Sequence, residues 1–123
     1  MTTGLLLFAH GARDPQWAQP FEQVAAAVRA RRPALPLRLA FLEFMAPDIR
    51  RAAGELVEQG CRRVEVLPLF LGTGGHVRKD LPALLDSLRD EHAGVTFVLH
   101  AAVGESAILI DAMVGIALAL PTP

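Results

Sequence analysis

Residues 64 to 82 read Val-Glu-Val-Leu-Pro-Leu-Phe-Leu-Gly-Thr-Gly-Gly-His-Val-Arg-Lys-Asp-Leu-Pro. Val64, Val66 and Leu67 lead into Pro68, and Leu69 to Leu71 extend an apolar run of the kind that a parallel strand carries when both its faces are covered. Gly72, Gly74 and Gly75 follow, residues that let the backbone take positive φ and leave room for a ligand beside it. The spacing predicts a strand, a glycine turn and then a helix, with His76 where the turn meets the helix. An imidazole held there is accessible, although one histidine near glycines is also what an ordinary helix start looks like.

Working outward, the same alternation recurs along the chain. Residues 4 to 9, Gly-Leu-Leu-Leu-Phe-Ala, read as a first strand that ends at His10. Asp14 is placed to cap a helix with Pro15 at its first position, and Phe21, Val24, Ala25 and Val28 then form an apolar stripe running to about Arg31. Trp17 is assigned to the core. Leu37 to Leu42 make a second strand, with Arg38 near its exposed start and Glu43 at its end. Ile49, Ala52, Ala53, Leu56 and Val57 give a second helix that stops at Gly60. A third helix, from about Val77 to Glu91, turns Leu81, Leu84, Leu85 and Leu88 inward. Pro82 lies in its first turns and predicts a start at Asp80 or Leu81, with Asp80 as cap. Residues 95 to 99 form a fourth strand and residues 105 to 119 a fourth helix. The order predicts a single α/β domain over residues 1–123: a four-stranded, mostly parallel sheet, flanked by helices on both faces and wound like flavodoxin.

Composition narrows the classes of function. Hydrophobic residues make up 52% and charged residues 20% of the 123, which excludes a disordered chain. A formal net charge of −1 gives no field that favours nucleic acid or a membrane surface, so neither is expected as a partner. The lone cysteine, Cys61, forms no intrachain disulfide, and its expected role is structural. The apolar start has no basic leader, and Asp111 interrupts the apolar stretch 107–120, so a soluble, cytoplasmic protein is expected.

In a parallel sheet the strand ends gather along one edge, and open α/β folds bind ligands beyond it. Three of the four strands end in His10, Glu43 and His76, after segments where packing asks for none of these residue types. Two imidazoles and a carboxylate suit a divalent transition metal with exchangeable positions. His100, at the end of the fourth strand, is a weaker fourth candidate, and His92 looks unrelated. Arg13, Thr73, Arg78 and Lys79 stand on the adjoining loops, where side chains and helix amides hold carboxylates or phosphates. Phe8, Phe44, Met45, Phe70 and Leu71 flank the same edge as core residues or as the floor for a large planar ligand.

His-Gly-Ala-Arg-Asp-Pro at 10 to 15, Phe-Leu-Glu-Phe-Met-Ala-Pro at 41 to 47 and the stretch from Pro68 to Pro82 together resemble the small class II chelatases, the sirohydrochlorin cobaltochelatase and ferrochelatase family. The resemblance spans nearly the whole chain, in order and spacing. It implies a chelatase-like fold and the insertion of a divalent metal, cobalt first and otherwise iron, into sirohydrochlorin, with two protons released and no nucleotide; the two imidazoles and the carboxylate would also accept nickel. It implies His10 and His76 as metal ligands and proton acceptors and Glu43 as their acidic partner; Arg13, Thr73, Gly74, Gly75 and Arg78, on the adjoining loops, are the expected substrate-binding residues. It also implies a homodimer of the short form, with the tetrapyrrole in a cleft bordered by both subunits. The apolar residues from Ile108 to Leu120 suit either such an interface or a final core helix. The chain departs from the family pattern at Ala12, where a serine is common, and at Ser106 and Ala107, where a histidine and a proline are. The fourth loop is therefore left out of the expected site. A histidine phosphatase is disfavoured, because Ala9 stands where that pattern needs an arginine. A non-catalytic metal or tetrapyrrole carrier using the same residues is the remaining alternative.

Overall fold

The computed structural model describes residues 2–72 and 74–122; at Gly75, His76 and Arg78 it describes the backbone alone. The elements in order are β1 (Thr2–Ala9), a 3-10 turn (Pro15–Ala18), α1 (Gln19–Arg31), β2 (Leu37–Phe41), α2 (Ile49–Glu58), β3 (Cys61–Pro68), α3 (Gly75–Glu91), β4 (Thr96–Leu99), a second 3-10 turn (Val103–Glu105) and α4 (Ala107–Leu118). The sheet order is β2-β1-β3-β4 and every pairing is parallel. Among the described residues no helix is long and apolar enough to cross a membrane.

Alternation along the strands divides the core. Leu6, Phe8, Val64, Val66 and Phe97 pack on one face against Ala52, Ala53 and Leu56 of α2 and Leu81, Leu85 and Leu88 of α3. Leu7 and Leu37 lie on the other face, under Ala25 and the half-buried Phe21 and Val28 of α1. Right-handed crossovers account for this split: the chain moves one way from β1 to β2 and the opposite way from β2 through β3 to β4, which puts α1 alone on its side. On that side the β3 and β4 residues Arg63, Thr96 and His100 are exposed, while Glu65 and Val98 are half-buried.

Several boundaries differ from the sequence expectation. β3 starts at Cys61 and ends at Pro68, so Leu69 to Leu71 are no longer strand, and Leu71 is exposed. Once Leu69 has donated to the Phe8 carbonyl at 2.8 Å, the chain leaves the sheet. α3 begins at Gly75 with Gly74 as its N-cap, and Asp80 lies inside the helix instead of capping it. Pro82 is accommodated because it sits on the exposed side, while the buried leucines on the opposite side keep the helix on the sheet. Asp14 does cap, accepting from the Gln16 amide at 2.9 Å with Pro15 next, but the turn it starts is 3-10. Val24, assigned to the apolar stripe of α1, is exposed. Gly72 and Gly74 have no positive φ; those of Gly11, Gly60 and Gly94 are positive.

Leu85 is fully buried in the layer that fixes α3. Leu85→Ala is expected to cost about 2–5 kcal/mol in a urea titration, because it removes side-chain volume and leaves a cavity.

Candidate functional site

β1 stands between β2 and β3, so the connections leaving β1 and β3 turn in opposite directions at the carboxyl edge of the sheet. A crevice opens at such a switch point. His10 is the first residue after β1, Glu43 the second after β2, and the first turn of α3 carries residues 75 to 78.

Backbone contacts beyond the sheet bring the first two loops together. Leu42 donates to the Ala9 carbonyl at 2.9 Å, and Glu43 donates to the His10 carbonyl at 3.1 Å. Gly11 has a φ of 95°, and a Cβ there would stand 1.9 Å from the Glu43 carbonyl oxygen. Met45 donates back to that same carbonyl at 2.8 Å, closing a three-residue turn around Phe44, whose φ is 66°. Such a turn is strained for a residue other than glycine, at a cost of order 1–3 kcal/mol, and strain of this kind gathers at functional sites.

The side chains follow from this scaffold. His10 Nε2 lies 3.1 Å from Glu43 Oε1, and each side chain is close to half exposed. The His10 ring meets the buried Phe70 edge-on at 6.1 Å, and Phe70 in turn packs on Phe8 at 5.9 Å. A carboxylate accepts and does not donate, so the bond to Glu43 places a proton on Nε2 and leaves Nδ1 as the open nitrogen. The Arg13 guanidinium sits 5.1 Å from the centre of the exposed Phe44 ring.

A cleft of about 360 Å³ opens beside the pair, with His10, Leu42 and Glu43 on one wall and Val77, Asp80, Leu81 and Leu84 of α3 on the other. The structure thus brings together His10, Glu43 and the helix that carries His76. Arg13 lines a neighbouring hollow with Phe44 and Met45. Gly74 is an exposed N-cap and Gly75 the first residue of α3. Thr73 and the side chains of His76 and Arg78 lie outside the described residues. Among the described residues no three His, Cys, Asp or Glu side chains are close enough to hold a metal.

The sequence reading missed two features of the site. Asp80 lines the cleft as a second carboxylate, a placement that needs the α3 start at Gly75. Gly11, next to His10, is the glycine whose conformation and lack of a side chain hold the loops together; its signal in the sequence is that a glycine directly follows the strand-end histidine.

His100 lies on no wall of this cleft: its Nε2 is 2.6 Å from Glu65 Oε2, and Arg63 Nε donates to Glu65 Oε1 at 2.7 Å. The Arg63 hydrogen bond, helped by that of His100, holds the Glu65 carboxyl below its ordinary pKa. A depressed carboxyl contributes stability above its unfolded pKa and loses it as the pH falls toward the folded value. The difference in urea midpoint between the native chain and Glu65→Gln is therefore expected to be present at pH 7 and to vanish on acidification through the carboxylate range, with a size below about 1 kcal/mol for a partly exposed pair. At the fourth loop, the Ser106 hydroxyl accepts from the Ile108 amide at 3.3 Å, so this position starts a helix.

The sequence profile of the CbiX family matches residues 4–115. A sirohydrochlorin cobaltochelatase of Methanocaldococcus jannaschii is 34% identical over 88 residues, which are 72% of this chain and 62% of that one. The crystal structure of a CbiX protein from Marinobacter aquaeolei superposes with a TM-score of 0.83 at 31% identity, covering 94% of each chain. The sirohydrochlorin chelatase SirB of Bacillus subtilis subspecies spizizenii, solved in complex with cobalt, shares the fold with a TM-score of 0.83 at 22% identity; the match covers 96% of this chain and 50% of SirB. The chain therefore spans less than two thirds of the cobaltochelatase and half of SirB.

Proposed function

Because the chain belongs to the CbiX family of small class II chelatases, we propose that it inserts a divalent metal ion, cobalt or ferrous iron and in principle nickel, into a sirohydrochlorin-type tetrapyrrole. The observation that carries this reading is the His10–Glu43 pair, built by backbone contacts at the mouth of a cleft whose other wall is the helix bearing His76.

Insertion breaks two pyrrole N–H bonds, forms bonds from those nitrogens to the metal and releases two protons. Charge is balanced by the departing protons, so the step needs bases and calls for no nucleotide. His10 and His76 hold the incoming metal and then take the protons. For His10 the receiving atom is Nδ1, since Glu43 occupies Nε2. Neutral imidazoles suit both tasks, because a metal ligand must be deprotonated to bind. Glu43 fixes the tautomer and offsets the positive charge of metal and imidazolium. Arg13, Thr73, Gly74, Gly75 and Arg78 face the acidic periphery of the substrate, for which guanidinium groups and helix N-terminal amides are complementary.

A cleft of about 360 Å³ is at the small end of the roughly 300–1,000 Å³ usual for ligand sites, enough for the reacting centre but open to one side. A second copy supplies the missing wall, so the working form is a homodimer acting in the cytoplasm on a soluble tetrapyrrole.

Glu43→Gln keeps an acceptor for His10 Nε2 and removes only the charge. Its rate is expected to fall about tenfold, against larger losses for the histidines. The reading is tested anaerobically with purified protein, sirohydrochlorin, and cobalt or ferrous ion added separately, by following the absorption change of insertion. Turnover over many protein equivalents, well above the uncatalysed rate, supports the chelatase; saturation at one equivalent without acceleration overturns it in favour of a carrier.

A further inference from the structure

Packing within one copy does not account for Phe44. Its ring is 59% exposed, and its φ of 66° lies in the left-handed region, where a bulky side chain is an outlier. The turn around it is fixed from both sides. Met45, the next residue, donates to the Glu43 carbonyl and packs against the cluster of Ala9, Ala18 and Phe41. Before it, Leu42 and Glu43 donate to the Ala9 and His10 carbonyls. Glycine or asparagine at position 44 would satisfy the same backbone with less strain, so the turn does not select phenylalanine. What selects the ring lies outside the turn.

The surroundings of the ring have a definite chemistry. The Arg13 guanidinium sits 5.1 Å from its centre. Both side chains border a hollow of about 330 Å³ shared with Ala18, Phe41 and Met45; Glu22 borders it as well, so an acid group is favoured there only where it meets Arg13. Arg13 stands three residues after His10, and Phe44 directly follows Glu43. The same two hydrogen-bonded loops therefore present the His10 and Glu43 pair to the cleft on one side, and an aromatic face with a held guanidinium to the hollow on the other.

This corner discriminates between occupants. An apolar protein surface laid on it would strand the guanidinium away from water. A ligand that is flat and rimmed with carboxylates satisfies both groups, its face lying on the ring and an acid at its edge meeting the guanidinium.

We infer that Phe44 is a substrate-recognition residue: one pyrrole edge of the macrocycle rests on its exposed ring, while Arg13, held against the same ring, pairs with a carboxylate on that edge. The inference rests on the chelatase reading above. It adds the means by which the loop distinguishes an acid-rimmed tetrapyrrole from one lacking acids at that edge.

The test uses the full chain and the fluorescence of sirohydrochlorin without metal, alongside insertion rates and urea titrations. Phe44→Asn is expected to hold or raise the urea midpoint, because asparagine tolerates the left-handed turn, and to raise the sirohydrochlorin dissociation constant about tenfold. KM should rise in proportion with a far smaller fall in kcat, since the ring binds the macrocycle and takes no part in proton transfer. Phe44→Tyr keeps the ring and should hold the dissociation constant within about twofold of the native value. Arg13→Ala should weaken binding less in the Phe44→Asn chain than in the native one, because the ring that holds the guanidinium is gone. If the native chain turns over and Phe44→Asn binds sirohydrochlorin as tightly, the role of Phe44 is overturned and the chelatase stands. A variant that changes only the dimer dissociation constant overturns it likewise, and makes Phe44 a contact between copies. A native chain that neither binds nor metallates sirohydrochlorin overturns both.

Discussion

His10→Ala is expected to abolish metal insertion while leaving the urea midpoint within about 0.5 kcal/mol of the native protein, and His76→Ala to do the same. For His10 the structural part of this expectation rests on exposure, because the side chain is close to half accessible and its partners are an equally exposed carboxylate and the edge of Phe70. Surface substitutions of that kind seldom move stability further. The catalytic part rests on chemistry. A positioned proton acceptor is worth roughly 10²–10⁴ in rate, and under the proposed function each histidine also holds the metal, so a single replacement removes a ligand and a base together. The double variant should be no worse than either single one by more than about tenfold, since residues acting as a unit lose most of their effect at the first replacement. Initial rates of insertion under anaerobic conditions check this, with circular dichroism confirming the fold. A folded double-histidine variant with full turnover would sink the assignment.

Gly11→Ala is expected to show the largest loss of stability of any single methyl addition in the site, about 3 kcal/mol or more. Two effects combine. A φ of 95° costs an L-residue roughly 1–2 kcal/mol, and the new Cβ would be driven to 1.9 Å from the Glu43 carbonyl oxygen, so one loop must move. Gly60 separates the two. Its φ is 94° with no atom within 4 Å of a Cβ, so Gly60→Ala reads the conformational part alone and should cost about 1 kcal/mol. Urea titrations of the two variants give the difference. Wherever Gly11→Ala folds, insertion should fall as well, because the movement separates Glu43 from His10.

Much of this was legible in the sequence because it depends on period and order. Alternating apolar strands and amphipathic helices dictated a parallel sheet, and the strand-end rule alone put His10 beside Glu43 before any distance was known. What was not legible depends on packing between segments distant in sequence. Pro82 argued for a late start of α3, but the buried leucines of that helix outweigh one missing amide hydrogen bond, and the start moves back to Gly75. Gly72 and Gly74 drew attention as turn glycines, whereas the glycine that matters sterically is Gly11, because of a carbonyl 32 residues away in the chain. The composition of α4 announced an apolar helix without saying whether its cover is internal, and the exposure of Ile108, Ile116 and Leu118 shows that within one copy it is not covered.

Cys61 lies at the amino-terminal end of β3, paired with Thr2 and fully buried, at the opposite end of the sheet from His10. Burial pushes its thiol above the ordinary pKa, against a smaller opposing pull from Arg38, so it stays protonated. An enzyme that delivers a metal must let go of it. Thiolate holds the soft and borderline transition metals most tenaciously, and a thiolate near the cleft would turn a delivery route into a trap. With the chain's one thiol out of reach, the pair at the cleft, His10 and Glu43, offers nitrogen and oxygen donors; under the proposed function, their faster exchange lets the macrocycle win the competition for the metal.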